Sequence, residues 1–289
     1  MFSQQVAEAS SVLPFMLMFM VFVMGTSCTL QSLRSVALAP RRFLVALFVV
    51  YVLMPVLGYG IGRLFYAEGS PYAVGHLLIA VTPVAITSTV WTGMSHGNIA
   101  LSLALVTFVT VVSGFYIPLQ MSVFAGRTVE FDSFVLMGNL VRTIVLPVLL
   151  GIFVRHRSRG GIQAHRSYLD LITKVMMLVL LAVNGAVVRP HLQQMDGRLL
   201  RSVLVVTLHT SLNFAVGYLA SMSLLGKRDR SLPTVVYAAS MKNNAAGIVI
   251  ALSHFGPLVA LPVVLNMILQ QFWASAYYRV FSRLFPSDA

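Results

Sequence analysis

The chain has 289 residues, 58% of them hydrophobic and only 10% charged, with a mean hydropathy of +0.86 and a formal net charge of +12. That composition excludes a soluble domain. The basic excess is not a nucleic-acid footprint either, because the charges are segregated between apolar segments long enough to cross a ~30 Å hydrocarbon core. A single cysteine, Cys28, excludes an intrachain disulfide and a cysteine metal cluster, and the seven histidines include no pair four residues apart, so no metal site is read.

Nine apolar segments follow in order, at approximately 12–30, 43–65, 74–95, 99–124, 134–154, 169–188, 199–225, 232–253 and 257–285. Backbone groups in lipid must be satisfied within the segment, and segments of this length do so as helices rather than as barrel strands. Residues 1–11 carry Glu8 and no basic residue, so the first segment is not expected to be a cleaved signal. The third segment is interrupted by Thr82-Pro83, Thr87-Ser88-Thr89 and Thr92-Gly93, and the eighth by Ser240-Met241-Lys242-Asn243-Asn244 and then Gly247. Proline removes a backbone donor, and small hydroxyl residues can satisfy the carbonyls it frees. The polar connection at 155–165, with Gly160-Gly161, is the expected flexible cytoplasmic linker between two halves.

Charge placement sets the expected orientation. With the N-terminus outside, the inner side holds Arg34, Arg41, Arg42, Arg155, Arg157, Arg159, Arg166, Lys227, Arg228, Arg230, Arg279 and Arg283. The outer side holds only Arg63, Arg127, Arg189, Arg198 and Arg201, while Arg142, Lys174 and Lys242 fall within or at the edges of spans. This bias puts the C-terminus in the cytoplasm and the protein in the plasma, or inner, membrane.

Lys242 is the residue that most requires a reason. At ~1.5 Å per helical residue it lies roughly 15 Å from either end of its span, too deep to snorkel to water, and an ionisable residue at that depth marks a functional site. All eight acidic residues, Glu8, Glu68, Glu130, Asp132, Asp170, Asp196, Asp229 and Asp288, lie in loops or termini. His209 and Asn213, one turn apart, could line a cavity or bond a neighbouring helix, and Asn184, Asn266, Gln270 and Gln271 share that ambiguity. Trp91 and Trp273 read as packing or interface residues, and the fifteen methionines mostly as core filler.

Ser95-His96-Gly97 after the third span is echoed by Ser253-His254-Phe255-Gly256 after the eighth, and five spans separate the two, so they cross in opposite directions. Inverted repeats with interrupted helices are a transporter signature. The chain accordingly reads as one transport domain over 1–289, with repeats at about 10–126 and 132–286.

Met24-Gly25-Thr26-Ser27-Cys28-Thr29-Leu30, Met54-Pro55, residues 83–90, Gly97-Asn98-Ile99-Ala100-Leu101-Ser102, Met241-Lys242-Asn243 and Leu261-Pro262 occur in an order and spacing that resembles the bile acid:sodium symporter family. The resemblance implies an all-α polytopic membrane protein with inverted five-helix repeats, the first helix of repeat 1 being missing, and two discontinuous crossing helices. It also implies sodium ligands, of which Ser88 and Ser102 are kept. The other ligand positions carry Thr89 for asparagine, Val106 for a hydroxyl, Ala238 for glutamate, and Lys242 and Val50 for glutamines.

The expected function is therefore alternating-access transport of a small organic anion, independent of sodium, with the Lys242 ammonium replacing the cation and tethering carbonyl ends of the crossing helices. Expected substrate or ion contacts are Lys242, Ser240, Asn243, Asn244, Thr87, Ser88, Thr89, Ser102, His209 and Asn213. Lys242 either stays a permanent cation or carries a proton during the cycle. Sodium coupling through residual hydroxyl and carbonyl ligands is the alternative, and an intramembrane enzyme or a membrane sensor is the rival of another class. No catalytic residue, cofactor or metal is expected, and the partners are the lipid bilayer and the transported anion.

Overall fold

The computed structural model describes residues 2–28, 40–126, 131–192 and 197–286, without the side chains of 2–11, 181, 184, 187–192 and 198. Arg34, Arg127, Glu130, Asp196, Asp288 and Thr29-Leu30 lie outside the described residues, and the side chains of Glu8, Asn184, Arg189 and Arg198 outside the described side chains.

The long elements are α-helices: α1 (Phe2–Gly25), α2 (Pro40–Phe65), α3 (Pro71–Val81), α4 (Thr87–Met94), α5 (Ile99–Ala125), α6 (Ser133–Arg157), α7 (Arg166–Leu192), α8 (Gly197–Leu225), α9 (Ser231–Ser240), α10 (Asn244–His254) and α11 (Pro257–Leu284). Five of them, α2, α5, α6, α8 and α11, are each long and apolar enough to cross a bilayer. Phe15, Leu64, Leu119, Phe134 and Phe272 project outward, as side chains solvated by lipid do. The protein is an all-α polytopic membrane protein.

The sequence punctuates these helices in identifiable ways. Each of α2 and α6 carries a π-helical turn, Val49–Leu53 and Val141–Val145, directly before Met54-Pro55 and Leu146-Pro147. Pro55 has no N–H to offer the Tyr51 carbonyl, and the Tyr116 hydroxyl on α5 donates to that oxygen instead at 2.8 Å. Where α1 meets α6, the backbones touch through glycines: a Cβ on Gly151 would sit 2.3 Å from the Phe22 oxygen, and one on Gly25 would sit 2.4 Å from the Val148 oxygen.

The connection at 155–165 differs from its expected flexibility. Helix α6 runs to Arg157, the turn passes through Gly160 at φ +87°, and a 3-10 turn, Gly161–His165, leads into α7. Arg155 and Gln163 donate to the Thr26 carbonyl at 2.7 and 2.8 Å, and Arg166 reaches the Val23 carbonyl and Ser27. Basic side chains here satisfy the last carbonyls of α1 and complement its dipole, which holds the connection in place.

The third and eighth apolar segments are each two helices. α3 ends at Val81 and α4 starts at Thr87, while α9 ends at Ser240 and α10 starts at Asn244. The two breaks cross as a short antiparallel bridge between Val84 and Lys242. Ala85 N–H donates to the Met241 carbonyl at 3.0 Å, and Asn243 N–H to the Pro83 carbonyl at 2.7 Å. Each break thereby supplies the backbone partners that the other lacks.

Gly151→Ala should lower the thermal unfolding midpoint in detergent, since overpacking against backbone costs about 1–3 kcal/mol. Gly138→Ala on the same helix, where an added Cβ meets nothing within 4 Å, should leave the midpoint unchanged or raise it.

Candidate functional site

A cavity of about 570 Å³ opens beside the crossing. One wall is α1 and α7, through Leu17, Met20, Met24, Thr173, Lys174 and Met177. The opposite wall is the two breaks with α11, through Ala85, Ile86, Thr87, Lys242, Asn243, Asn244 and Gln270. Helices α4 and α10 both begin at this cavity, so two positive helix ends face it.

The break is pinned from α11 by Gln270. Its side-chain oxygen accepts from Lys242 N–H at 3.0 Å, and its amide nitrogen donates to the Lys242 carbonyl at 3.3 Å. Asn243 caps α10, its side-chain oxygen accepting from Ala246 N–H at 3.3 Å. Asn244 accepts from Asn266 at 2.9 Å, and Asn266 accepts from the Thr210 hydroxyl on α8 at 2.8 Å. Asn266 and Gln270, ambiguous in the sequence, are thus the residues that join α11 to the second break.

Lys242 is 1% exposed, and its Nζ has no hydrogen-bond partner among the described residues. The expected tether from the ammonium to carbonyl ends is absent. Backbone hydrogen bonds and Gln270 hold the crossing because the carbonyls at the breaks are already occupied by Ala85, Asn243 and the Gln270 amide. The described carboxylates are all committed elsewhere. Glu68 pairs with Arg63, Asp170 with Arg166 and Asp229 with Arg42, while Asp132 caps α6.

The expected contact residues separate into three groups. Thr87, Lys242, Asn243 and Asn244 line the cavity. Thr89 and Ser102 bond each other at 3.0 Å between α4 and α5, and Ser88 is buried with its hydroxyl unpartnered. Ser240, His209 and Asn213 lie on the α8 side, Ser240 facing Gly217, and all three are fully buried. Val50, Val106 and Ala238 are fully packed within one apolar cluster.

Sequence reasoning missed Lys174 and Thr173 as cavity residues and His76 altogether. His76 is 2.9 Å from His209 between the two Nδ1 atoms. Lys174 carried a signal, a basic residue within an apolar span, whereas pairing of His76 with a residue more than a hundred positions away carried none. Trp91 packs on Tyr237 and donates to Gln271 at 3.2 Å, in keeping with a packing role.

Broken helices that cross at mid-bundle beside a sizeable cavity define a class, the helical membrane transporters that bind their cargo between discontinuous helices. Residues 14–195 match the sodium bile acid symporter family, and the chain belongs to that family. It is similar to the uncharacterised protein YbaS of Bacillus subtilis, at 29% identity over 93% of this chain and 88% of that one. It is also similar to the probable chloroplastic sodium/metabolite cotransporter BASS1 of Oryza sativa, at 28% identity over 93% of this chain and 66% of that one. A third relative, the uncharacterised sodium-dependent transporter YocS of Bacillus subtilis, is 24% identical over 88% of this chain and 77% of its own length. The protein is an integral membrane transporter.

Gln270→Ala removes both bonds to the Lys242 main chain and should cost about 1–3 kcal/mol. Thermal unfolding in detergent should register this as a larger drop than Gln271→Ala, whose exposed side chain bonds the half-buried Trp91 indole.

Proposed function

We propose that this protein is a secondary carrier of small organic anions that works by alternating access and without sodium, Lys242 taking the place of the coupling cation. The observation that carries the reading is the convergence of two helix N-termini, Lys242 and Lys174 on one cavity whose described lining includes no carboxylate. A bound anion would gain from both helix ends and from the lysines, and a cation would meet only repulsion. The remaining wall is largely hydrocarbon, from Leu17, Met20, Val21, Met24, Met177 and Met267, which favours an anion with an apolar body.

Sodium independence is supported by the positions at which the family resemblance implies cation ligands. Val50, Val106 and Ala238 bring hydrocarbon to three of them, and Lys242 brings a positive charge to a fourth. The proposed arrangement has nine spans in two inverted repeats, the N-terminus outside and the C-terminus in the cytoplasm, in the plasma membrane. The antiparallel crossing of the two breaks supports the repeats, and the distribution of arginine and lysine supports the orientation.

One observation favours a second reading, sodium coupling. The Ser88 hydroxyl is buried and unpartnered near the Thr89 and Ser102 pair, and a relative bears the name of a sodium-dependent transporter. Uptake of radiolabelled benzenesulfonate, whose charge is independent of pH, into proteoliposomes separates the two. The expected result is equal uptake in sodium and potassium media, loss of at least about tenfold in Lys242→Gln, and sodium-dependent uptake in the double variant Lys242→Gln/Ala238→Glu. Uptake by the unmodified protein only when sodium is present would contradict the proposal.

A further inference from the structure

The large cavity is one-sided in its hydrogen-bonding chemistry. Four amide side chains line it, and the oxygen of each already accepts a hydrogen bond from the protein. Asn243 accepts from Ala246 N–H, Asn244 from the Asn266 amide, Gln270 from Lys242 N–H, and Gln271 from the Trp91 indole. The Thr173 hydroxyl donates to the Leu169 carbonyl at 2.9 Å. Lys242 Nζ and Asn244 Nδ2, on residues that are 1% and 2% exposed, have no partner among the described residues. Both are donors. A buried donor left empty costs about 1–3 kcal/mol and more when it is charged, so a ligand that fits this wall brings acceptors.

Lys174 brings a second charge to the same space from the opposite wall. Arg166 holds the start of α7 against the end of α1 through the Val23 carbonyl and Ser27, so the two helices leave that end of the bundle together. Eight residues further along α7, ~12 Å at helical rise, Lys174 comes to about the level of Leu17 and Met20, which line the cavity beside it. Leu17 marks the closed end. It is fully buried and also lines a separate cavity of about 180 Å³ next to Asn139 and His254. Neither Lys174 nor Lys242 makes an ion pair among the described residues, and no carboxylate is part of the described lining. Two like charges therefore face one cavity across a wall of hydrocarbon, where Coulomb interactions are screened far less than in water. A ligand with one negative charge balances one lysine and leaves the other. A ligand with a negative group toward each wall balances both.

We propose that the cavity selects dianions, substrates with two oxyanion groups at the ends of a short apolar body. One group takes hydrogen bonds from Lys242 Nζ and Asn244 Nδ2 at the start of α10, and the other is held by Lys174 on α7. The body between them lies against the hydrocarbon of Met20, Met177 and Met267. Lys174 is then the residue that determines specificity, since it separates a doubly charged substrate from a singly charged one of the same shape. This rests on the reading of the cavity as an anion site and narrows the class of anion that the site takes.

The test is calorimetric titration of the full chain in lipid nanodiscs, in sodium-free buffer, with two matched pairs of probes. One pair is para-benzenedisulfonate and benzenesulfonate, and the other is the flexible butanedisulfonate, with a sulfonate at each end, and butanesulfonate. Each disulfonate should bind at least about tenfold more tightly than its monosulfonate. Lys174→Gln should reduce that ratio to about twofold or less, and Lys174→Arg, which keeps the charge, should preserve it. Lys227→Gln, in the turn after α8, should leave the ratio as it is, because a distant surface charge is screened by salt. Equal affinity for the two members of each pair, a ratio that survives Lys174→Gln, or a ratio that falls as far in Lys227→Gln would each overturn the proposal, while monosulfonate binding leaves the anion site standing. Failure of all four probes to bind would overturn both.

Discussion

The structure depends on two backbone hydrogen bonds, from Ala85 to Met241 and from Asn243 to Pro83. In hydrocarbon an interrupted helix exposes donors and acceptors that water cannot reach, and each costs several kcal/mol if left alone. Two interruptions placed against each other in antiparallel sense cancel part of that debt. Gln270 then occupies both backbone groups of Lys242, and Asn266 and Thr210 tie Asn244 to α8. Everything at the site is positioned from that crossing.

The crossing also divides the interior into two polar regions. On one side, the positive ends of α4 and α10 meet a cavity walled by methionine and leucine. On the other, the His76–His209 pair joins α3 to α8, and both side-chain atoms of Asn213, one turn further along α8, are buried without a hydrogen-bond partner among the described residues. Lys242 lines the cavity, and its Nζ has no hydrogen-bond partner among the described residues. With the described carboxylates committed at helix ends and loops, the positive charge of this core has no internal counterion among them. A bound anion, or loss of a proton, is what can balance it.

Much of this was legible in the residues. The nine apolar segments gave the class, and Thr82-Pro83 and Ser240 to Asn244 marked the breaks, because proline and polar residues in an apolar run leave few helical options. Lys242 was legible as buried, since it lies roughly 15 Å from either end of its apolar segment. Its lack of hydrogen-bond partners was not, because carbonyl occupancy depends on Gln270 and on the other break. Ser240, His209 and Asn213 lie on the α8 side rather than in the cavity lining, and His209 takes the other course its sequence left open, a bond to a neighbouring helix. One-dimensional spacing puts residues on a shared depth but does not say which side of a crossing they take. The 155–165 connection misled for a similar reason: its glycines and charges resemble a solvated linker, yet Arg155, Gln163 and Arg166 had the carbonyls of α1 to satisfy.

The central claim is the proposal that the protein's own charge stands where the family resemblance implies a cation site. It is tested most directly by the thermal unfolding of the purified protein in sodium, potassium and choline chloride at one ionic strength, with no substrate present. A protein whose cation position is filled by Lys242 unfolds at the same temperature in all three salts. A midpoint raised by sodium alone, increasing with its concentration as specific binding to the folded state requires, would contradict the account.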